Sequence, residues 1–260
     1  MIQVLLARLK QRHRTMKYPA APPPEMPDRF RGRPLLAGSK CPEGCRACAD
    51  ACPTGAITLD PELRLDLGKC LFCTECEQAC PQNAITCTRD YRLAVRKRQA
   101  LILAPDQAEL ELAAALDTKS RRLFGHSLKL RQVSAGGCNA CEADVNVLGT
   151  VGWDLGRFGI QMVASPRHAD GLLITGPVTE NMKLALRKTY DSVPAPKIVI
   201  AVGACALSGG PYRDHAEVQN GAESVVPVDL FIPGCPPHPL TILDGLLRLL
   251  GRLDESKTRG

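Results

Sequence analysis

Hydrophobic and polar positions follow two kinds of pattern in the second half of the chain. From about residue 126 onward, continuous apolar runs are separated by stretches in which apolar residues recur every three or four positions. The runs are SLKLRQV, FGIQMVA, GLLITG, KIVIAVG and VDLFIPG, and the helical stretches lie after Cys141, in ENMKLALRKTYDS and in LTILDGLLRLLGRL. Uninterrupted apolar strands between helices are typical of a parallel sheet that is covered on both faces. This half is predicted to be a doubly wound α/β domain.

The amino terminus has a different pattern, which predicts an amphipathic helix. Apolar residues fall at positions i, i+3, i+4 and i+7, and these are Ile2, Leu5, Leu6 and Leu9. The proline-rich stretch 20–27 follows and is expected to be a stiff, extended connector. The first 40 residues carry a net charge of +7, so that the rest of the chain is close to neutral. A basic helix with an apolar stripe suits a membrane surface or a partner's groove rather than nucleic acid; the alternative is a solvated terminus.

Cysteine usage and hydropathy predict the compartment. Thirteen cysteines lie in short clusters with the spacing of metal ligands, which favours a reducing compartment over a disulfide framework. No apolar run approaches the ~18 residues needed to span a bilayer, and the leader has no apolar signal core. The protein is therefore expected in the cytoplasm, peripheral on the membrane's cytoplasmic face.

An internal repeat marks a small module before the α/β domain. CRACADACPTGAIT, from Cys45, aligns with CTECEQACPQNAIT, from Cys73, at an offset of 28 residues. Both copies end in Ala-Ile-Thr, a short strand, which implies a pseudosymmetric α+β ferredoxin module. The predicted domains are a leader over 1–35, the ferredoxin domain over 36–95, a linker over 96–125 that is partly helical at AELELAAALD, and the α/β domain over 126–255.

The two repeats have the spacing of a two-cluster ferredoxin. The second copy is C-x2-C-x2-C-x3-C-P, in which three thiolates bind one cubane and the fourth crosses to the other. The predicted ligand sets are Cys41, Cys45, Cys48 and Cys80 for the first [4Fe–4S] cluster, and Cys70, Cys73, Cys76 and Cys52 for the second. The first copy has one extra residue between its first two cysteines, an insertion that Gly44 could absorb. Zinc in ribbon-like sites is the competing interpretation, although zinc ribbons space their CxxC pairs further apart.

A third cluster is predicted in the α/β domain. Cys138, Cys205 and Cys235 each follow a predicted strand, and Cys141 lies in the same CxxC as Cys138. Loops at the carboxyl ends of parallel strands converge on one crevice, so these four thiolates can form a third [4Fe–4S] site. The alternative is that Cys205 and Cys235 are ordinary buried thiols. A flavin bound in this crevice, as in flavodoxin-like sheets, is disfavoured because the four thiolates already occupy it.

Several other residues are expected to have structural roles. Cys87 is left over and is interpreted as a buried thiol. Glu142 fits an acid that complements a helix amino terminus. His168 and His238 are placed in loops near the crevice and are interpreted as solvated histidines. Arg167 suits a contact with a cluster or the partner as well as it suits a surface role.

The motifs of residues 126–252 resemble a known family. SPRHADGLLITGPVT, ALRKTY, GACALSGG, VPVD and IPGCPP are similar to the small subunit of [NiFe] hydrogenases and to the B-type subunit of respiratory NADH:quinone oxidoreductase, complex I. The resemblance implies a flavodoxin-like fold. The complex I version has two adjacent cysteines at the first ligand position and hydrogenases have C-x-x-C, as here, which favours a membrane-bound, complex-I-related hydrogenase similar to formate hydrogenlyase. The first half resembles the two-cluster ferredoxin subunit of these complexes, including the YP and FRGRP stretches.

The resemblance implies an electron-transfer subunit. Its third cluster would lie next to a nickel-iron site on a [NiFe] hydrogenase large subunit, its leader would lie against complex-I-like membrane subunits, and a further subunit would donate or accept electrons. The alternatives are the cluster subunit of a complex-I-like quinone oxidoreductase and, as a non-enzyme, a free-standing polyferredoxin. No nucleic-acid partner is expected.

Overall fold

A computed structural model describes residues 2–11, 14–107 and 109–253 of the 260-residue chain. Helix α1, Ile2–Gln11, confirms the predicted leader helix. The following connector packs on the body of the protein through Tyr18, which is buried. No helix in the described ranges is long and apolar enough to cross a bilayer.

The cysteine-repeat module consists of short strands and single-turn helices. Its elements are β1 (Pro34–Leu36), α2 (Ala47–Asp50), β2 (Ile57–Thr58), β3 (Arg64–Asp66), α3 (Glu75–Ala79), β4 (Ile85–Cys87) and β5 (Ile102–Leu103). Strand β1 pairs antiparallel with β4, and β3 lies between β2 and β5 in a second antiparallel sheet. The two Ala-Ile-Thr stretches thus contribute to β2 and β4, which belong to different sheets. The α+β ferredoxin prediction is confirmed.

The segment between the modules differs from its predicted structure. Residues 109–117, which include most of the stretch predicted to be helical, form neither helix nor strand; Ala108 lies outside the described residues. Leu110, Ala113 and Leu116 are buried, the Ala113 N–H donates to the Ala94 carbonyl, and the Leu116 N–H donates to the Leu249 carbonyl. These long-range partners replace the bonds that a helix would have made within the segment. The helix of this region comes later, as α4 (Thr118–Phe124), whose N-cap Asp117 accepts from two backbone N–H groups.

The second half forms an open parallel sheet. Its elements are β6 (Leu128–Ser134), α5 (Ala140–Val147), β7 (Ile160–Met162), β8 (Gly171–Thr175), α6 (Glu180–Ser192), β9 (Ile198–Val202), α7 (Ala204–Ser208), β10 (Leu230–Ile232) and α8 (Pro239–Leu249). The strand order is β10-β9-β8-β6-β7, all parallel. Every residue of β8 and β9 is buried, as expected for strands covered on both faces. This is the flavodoxin-like order, and the doubly wound prediction is confirmed. Residues 254 and 255 of the predicted domain lie outside the described residues.

The two modules share one hydrophobic core. Leu65 and Leu101 of the first module belong to the same buried cluster as Ala206 and Phe231 of the second. Val95 and Phe231 also exchange two backbone hydrogen bonds, of 3.0 and 2.9 Å. The modules are therefore packed against each other by both apolar contact and backbone pairing.

Candidate metal centres

The carboxyl edge of the parallel sheet gathers the four cysteines of the α/β domain. Strand β6 leads to Cys138, β9 leads through Gly203 to Cys205 at the start of α7, and β10 leads through Gly234 to Cys235. The glycine before α7 has φ of +90°, and a Cβ atom there would lie 2.4 Å from the Sγ of Cys141. This close approach requires glycine, and it places the CxxC loop directly against the end of β9.

Burial controls the protonation of these thiols. Burial, together with the smaller effects of the nearby thiols of Cys235 and Cys138, raises the pKa of Cys205 to about 12. The pKa of Cys141 is raised by burial in the same way, next by Cys205 and then by Glu142. The thiols of Cys141 and Cys205 are thus neutral near pH 7 and must lose their protons to bind a metal. Four converging thiol groups, with no carboxylate or imidazole among them, fit the soft ligand set of an iron–sulfur cluster.

The repeat module brings together the cysteines of each copy with one from the other copy. Burial raises the pKa of the Cys48 thiol, and the thiols of Cys41 and then Cys80 add to the effect. Burial, followed by the effects of Cys52 and then Cys73, raises the pKa of Cys76 to about 11. The fourth cysteine of each run therefore lies beside the other run.

Backbone donors surround several of these sulfur atoms. Backbone N–H groups donate to the Sγ atoms of Cys52, Cys70 and Cys80, from Ala56, Phe72 and Ala84, over 3.2–3.3 Å. Such donors stabilise thiolates and tune cluster potentials. Cys45 follows Gly44, which has φ of +76°, so the extra residue of the first run is taken up by a left-handed glycine.

A small, partly open cavity lies among the cysteines of the second set. Cys52, Cys70, Cys73 and Cys76 line it, together with Phe72 and Cys87. Across the described ranges, no three His, Cys, Asp or Glu side chains are close enough to hold a single metal ion. A cubane differs from a single ion because each of its cysteines binds a different iron atom. The donor chemistry of the three sets fits such clusters.

Cys87 has a more specific place than its sequence interpretation suggested. It is half-buried in the wall of the cavity beside the second set. Its N–H donates to Glu77 over 3.3 Å, and burial, followed by Glu77, raises the pKa of its thiol to about 12. No local motif marks this contact, because β4 brings Cys87 to the cavity only when the module folds.

The second set has neighbours in both of the other sets, and Leu71 and Phe72 of the second run line one cleft together with Gly234 and Cys235. Cys76 has Cys48 of the first set among the thiols that act on its pKa. The pKa of Cys235 is raised by burial, then by Cys138, and then by Cys73 of the second set. The second and third sets are therefore electrostatic neighbours across the boundary between the modules, a proximity that no pattern in the sequence indicates.

The side chain of Glu142 supports the third site from within the α/β domain. It is buried and accepts hydrogen bonds from Ser134, at 2.6 Å, and Thr175, at 2.5 Å. Burial acts to raise the pKa of its carboxyl, but these hydroxyl donors outweigh burial and the pKa is lowered. Since both hydroxyls come from neighbouring strands, the carboxylate ties α5 to the end of the sheet.

The two histidines considered above lie in different places. His168 and Arg167 are exposed and precede β8, so they lie at the amino edge of the sheet; the expectation that His168 is near the crevice is wrong. His238 is half-buried, and its ring meets those of Phe30 and Trp153 edge-on. Its Nδ1 accepts from the Leu240 N–H over 3.1 Å at the start of α8, and burial lowers its pKa.

Fold and cysteine geometry together define an iron–sulfur protein of two modules. Residues 138–249 match the family described as NADH ubiquinone oxidoreductase, 20 Kd subunit, and residues 40–84 match the 4Fe-4S dicluster domain. The chain belongs to the family of the 20 kDa subunit of NADH ubiquinone oxidoreductase, and it carries a dicluster domain in front of the family's own. It is an iron–sulfur electron-transfer subunit of the oxidoreductase class that includes complex-I-related enzymes and membrane-bound hydrogenases.

Individual relatives come from both branches of this class. The chain is 42% identical to formate hydrogenlyase subunit 7 of Escherichia coli over 150 residues, which are 58% of this chain and 57% of that protein. It is 40% identical to the probable membrane-bound hydrogenase subunit of Pyrococcus furiosus over 51% of this chain and 79% of that protein. It is 42% identical to the B-type subunit of the NADH-quinone oxidoreductase of Clostridium beijerinckii over 48% of this chain and 74% of that protein.

Proposed function

We propose that this chain binds three [4Fe–4S] clusters and passes electrons between its ferredoxin module and a hydrogen-activating partner. The ligands are the three cysteine sets defined above, and each cluster, when bound, supplies one-electron redox chemistry. The observation that carries the proposal is the cleft in which Leu71 and Phe72 of the second cysteine run face Gly234 and Cys235 of the α/β domain. This proximity gives electrons a path from one module to the other within one chain.

The third set is placed where electrons can pass to a second subunit. Cys138 and Cys235 are exposed, whereas Cys141 and Cys205 are half-buried, so this site opens at the protein surface. The separated C-x-x-C of Cys138 and Cys141 favours a nickel-iron large subunit of a membrane-bound, formate hydrogenlyase-like hydrogenase as that partner. The similarity to the B-type subunit of NADH-quinone oxidoreductase supports a second candidate, a complex-I-like quinone oxidoreductase.

Affinity purification of the tagged chain from membranes, with metal analysis of the complex, tests the partner. Nickel together with about twelve irons per copy, the sum of three cubanes, is the expected result. Iron without nickel, with complex-I-like subunits, would favour the quinone oxidoreductase. A monomeric chain without any co-purifying subunit would leave the polyferredoxin alternative.

Cysteine variants test the ligand assignment. Cys205→Ser removes one ligand of the third set and is expected to lower the iron content of the isolated chain from about twelve to about eight. Cys87→Ser is the matched control, because Cys87 is a half-buried thiol that lines a cluster cavity without belonging to a ligand set. The assignment is wrong if the Cys87 variant loses a cluster or the Cys205 variant keeps all three.

The leader helix supports a peripheral position at the membrane surface. Its apolar stripe is almost unpacked: Ile2, Leu5, Leu6 and Leu9 are between 58% and 73% exposed. Arg8 and Lys10 flank this stripe, and the first acidic residue of the chain is Glu25. A helix of this kind lies in a bilayer interface with its apolar face inserted and its cations near anionic headgroups.

Vesicle flotation tests this placement. The chain is expected to float with vesicles that contain anionic lipid and to float less with purely zwitterionic vesicles. Leu6→Glu should abolish flotation, whereas Leu184→Glu should not, although Leu184 is a similarly exposed leucine on α6, at 61% against 58%. Equal flotation of the two variants would contradict a role for α1.

A further inference from the structure

Arg98 connects the ligand loops of two different clusters. It lies in the first module, shortly before β5, and its side chain is only 15% exposed. Two of its guanidinium nitrogens donate to the two carboxylate oxygens of Asp66, over 2.7 and 2.8 Å. Such a bidentate pair fixes both the position and the plane of the guanidinium group.

Asp66 and Arg98 together shape the loop that leads to Cys70. Asp66 ends β3 and accepts from the Gly68 N–H over 2.9 Å, and the Cys70 N–H donates to the Leu67 carbonyl. The guanidinium group lies directly against Gly68: a Cβ atom there would come within 2.4 Å of it. Only glycine allows this approach, so the arginine packs against the backbone two residues before a predicted ligand of the second cluster.

The same arginine also reaches the helix that carries Cys205. Its Nε donates to the carbonyl of Leu207, in α7, over 3.4 Å. One planar group thus contacts the loop before Cys70 and the helix after Cys205. These two cysteines belong to the second and third sets, which are the sets that meet at the module boundary.

Other contacts hold the modules together without touching a ligand loop of the ferredoxin module. Arg96 donates from Nε to the carbonyl of Asp229 over 2.7 Å, and Val95 pairs with Phe231. The shared apolar core adds to them. Loss of Arg98 is therefore not expected to separate the modules, and its effect should be confined to the relative position of the two loops.

We propose that Arg98 is a positioning residue that fixes the second cluster relative to the third and so sets the rate of the electron step between the modules. This inference rests on the proposed function, because it requires both clusters to be present. The contacts that Arg98 makes with the two ligand loops, rather than its charge alone, fix the relative position of the clusters. A lysine has the charge but has no planar fork that could hold Asp66 through two parallel hydrogen bonds.

The test compares Arg98→Gln, Arg98→Lys and Arg96→Gln in the full, cluster-loaded chain. After complete reduction, electron paramagnetic resonance reports the magnetic interaction between neighbouring clusters, which depends on their distance and orientation. Both Arg98 variants are expected to keep about twelve irons, to lose or change this interaction, and to slow electron transfer between the modules after rapid reduction. The Arg96 variant, which alters a comparable boundary contact, should retain the wild-type signal.

Each outcome decides the proposal separately from the proposed function. A wild-type chain without three reducible clusters would contradict the proposed function. Unchanged interaction and transfer rate in Arg98→Gln, with all three clusters present, would overturn the positioning role alone. Full recovery in Arg98→Lys would also overturn it, since charge without the bidentate contact would then be sufficient. If Arg96→Gln changed the magnetic interaction and the transfer rate as much as Arg98→Gln does, Arg98 would be only one of several boundary contacts, and the assignment would be overturned as well.

Discussion

The buried ion pair of α8 allows a quantitative prediction. Asp244 and Arg248 are one helical turn apart, with an Nε–Oδ2 distance of 2.8 Å and side-chain exposures of 0% and 5%. The hydroxyl of Tyr18 donates to the other carboxylate oxygen over 3.0 Å, so the pair also anchors the connector that follows the leader helix. Burial raises the pKa of the Asp244 carboxyl, whereas Arg248 and Tyr18 act to lower it.

Asp244→Asn keeps the shape of the side chain and removes its charge. Arg248 is then left as a buried cation without an anion, and breaking a buried pair in this way costs about 3–5 kcal/mol. For a chain of this size each 1 kcal/mol lowers the thermal midpoint by roughly 2–4 °C, which gives a fall of roughly 6–20 °C. Thermal unfolding of the cluster-loaded chain at a fixed scan rate, without oxygen, measures the shift.

Two further variants isolate the effect of burial. Arg46 and Asp50 are also four residues apart and form an ion pair, but their side chains are 68% and 67% exposed. Asp50→Asn should therefore cost less than about 1 kcal/mol. The double variant Asp244→Leu with Arg248→Met, which replaces the buried pair by apolar groups, should recover much of the lost stability. If Asp244→Asn and Asp50→Asn shift the midpoint equally, Asp244 carries no charge in the folded protein and the reasoning is refuted.

Two other substitutions give predictions at the third site and at the start of α8. Gly203→Ala places a Cβ atom 2.4 Å from the Cys141 sulfur at a φ of +90°. Iron analysis of this variant should therefore show a loss of about four irons. Gly152→Ala is the control and should lose none, because a Cβ atom there meets nothing within 4 Å. His238 has a lowered pKa because it is buried, so the folded chain binds fewer protons than the unfolded chain and stability falls as the pH drops through about 6.5. His238→Asn can still accept from the Leu240 N–H but does not titrate there. Its thermal midpoint should therefore fall less than that of the wild type between pH 8 and 5.5, and parallel curves would contradict this role.

Local patterns were sufficient for the elements of the α/β domain. Four of the five apolar runs contain a whole strand of the parallel sheet, SLKLRQV contains all of β6 except Ser134, and ENMKLALRKTYDS is helix α6 from its first residue to its last. Burial on both faces makes consecutive residues of a strand apolar, so these elements can be predicted from short windows of sequence. The segment at 109–117 was predicted wrongly because a short window contains none of its partners. Its periodic apolar residues are buried without forming a helix, and its backbone partners, Ala94 and Leu249, are distant in sequence.

The sequence by itself determined which cysteines form runs and where the strands end, because ligand spacing and strand periodicity are properties of neighbouring residues. It therefore also determined which metal chemistry the chain can support. Only the tertiary structure decided that Cys73 lies near Cys235, that Cys87 lines a cavity, and that Arg98 joins two ligand loops. These contacts bring together residues far apart in the chain, and they depend on how two separate modules bury their apolar surfaces against each other. No local pattern specifies that packing, since it results from the whole folded core.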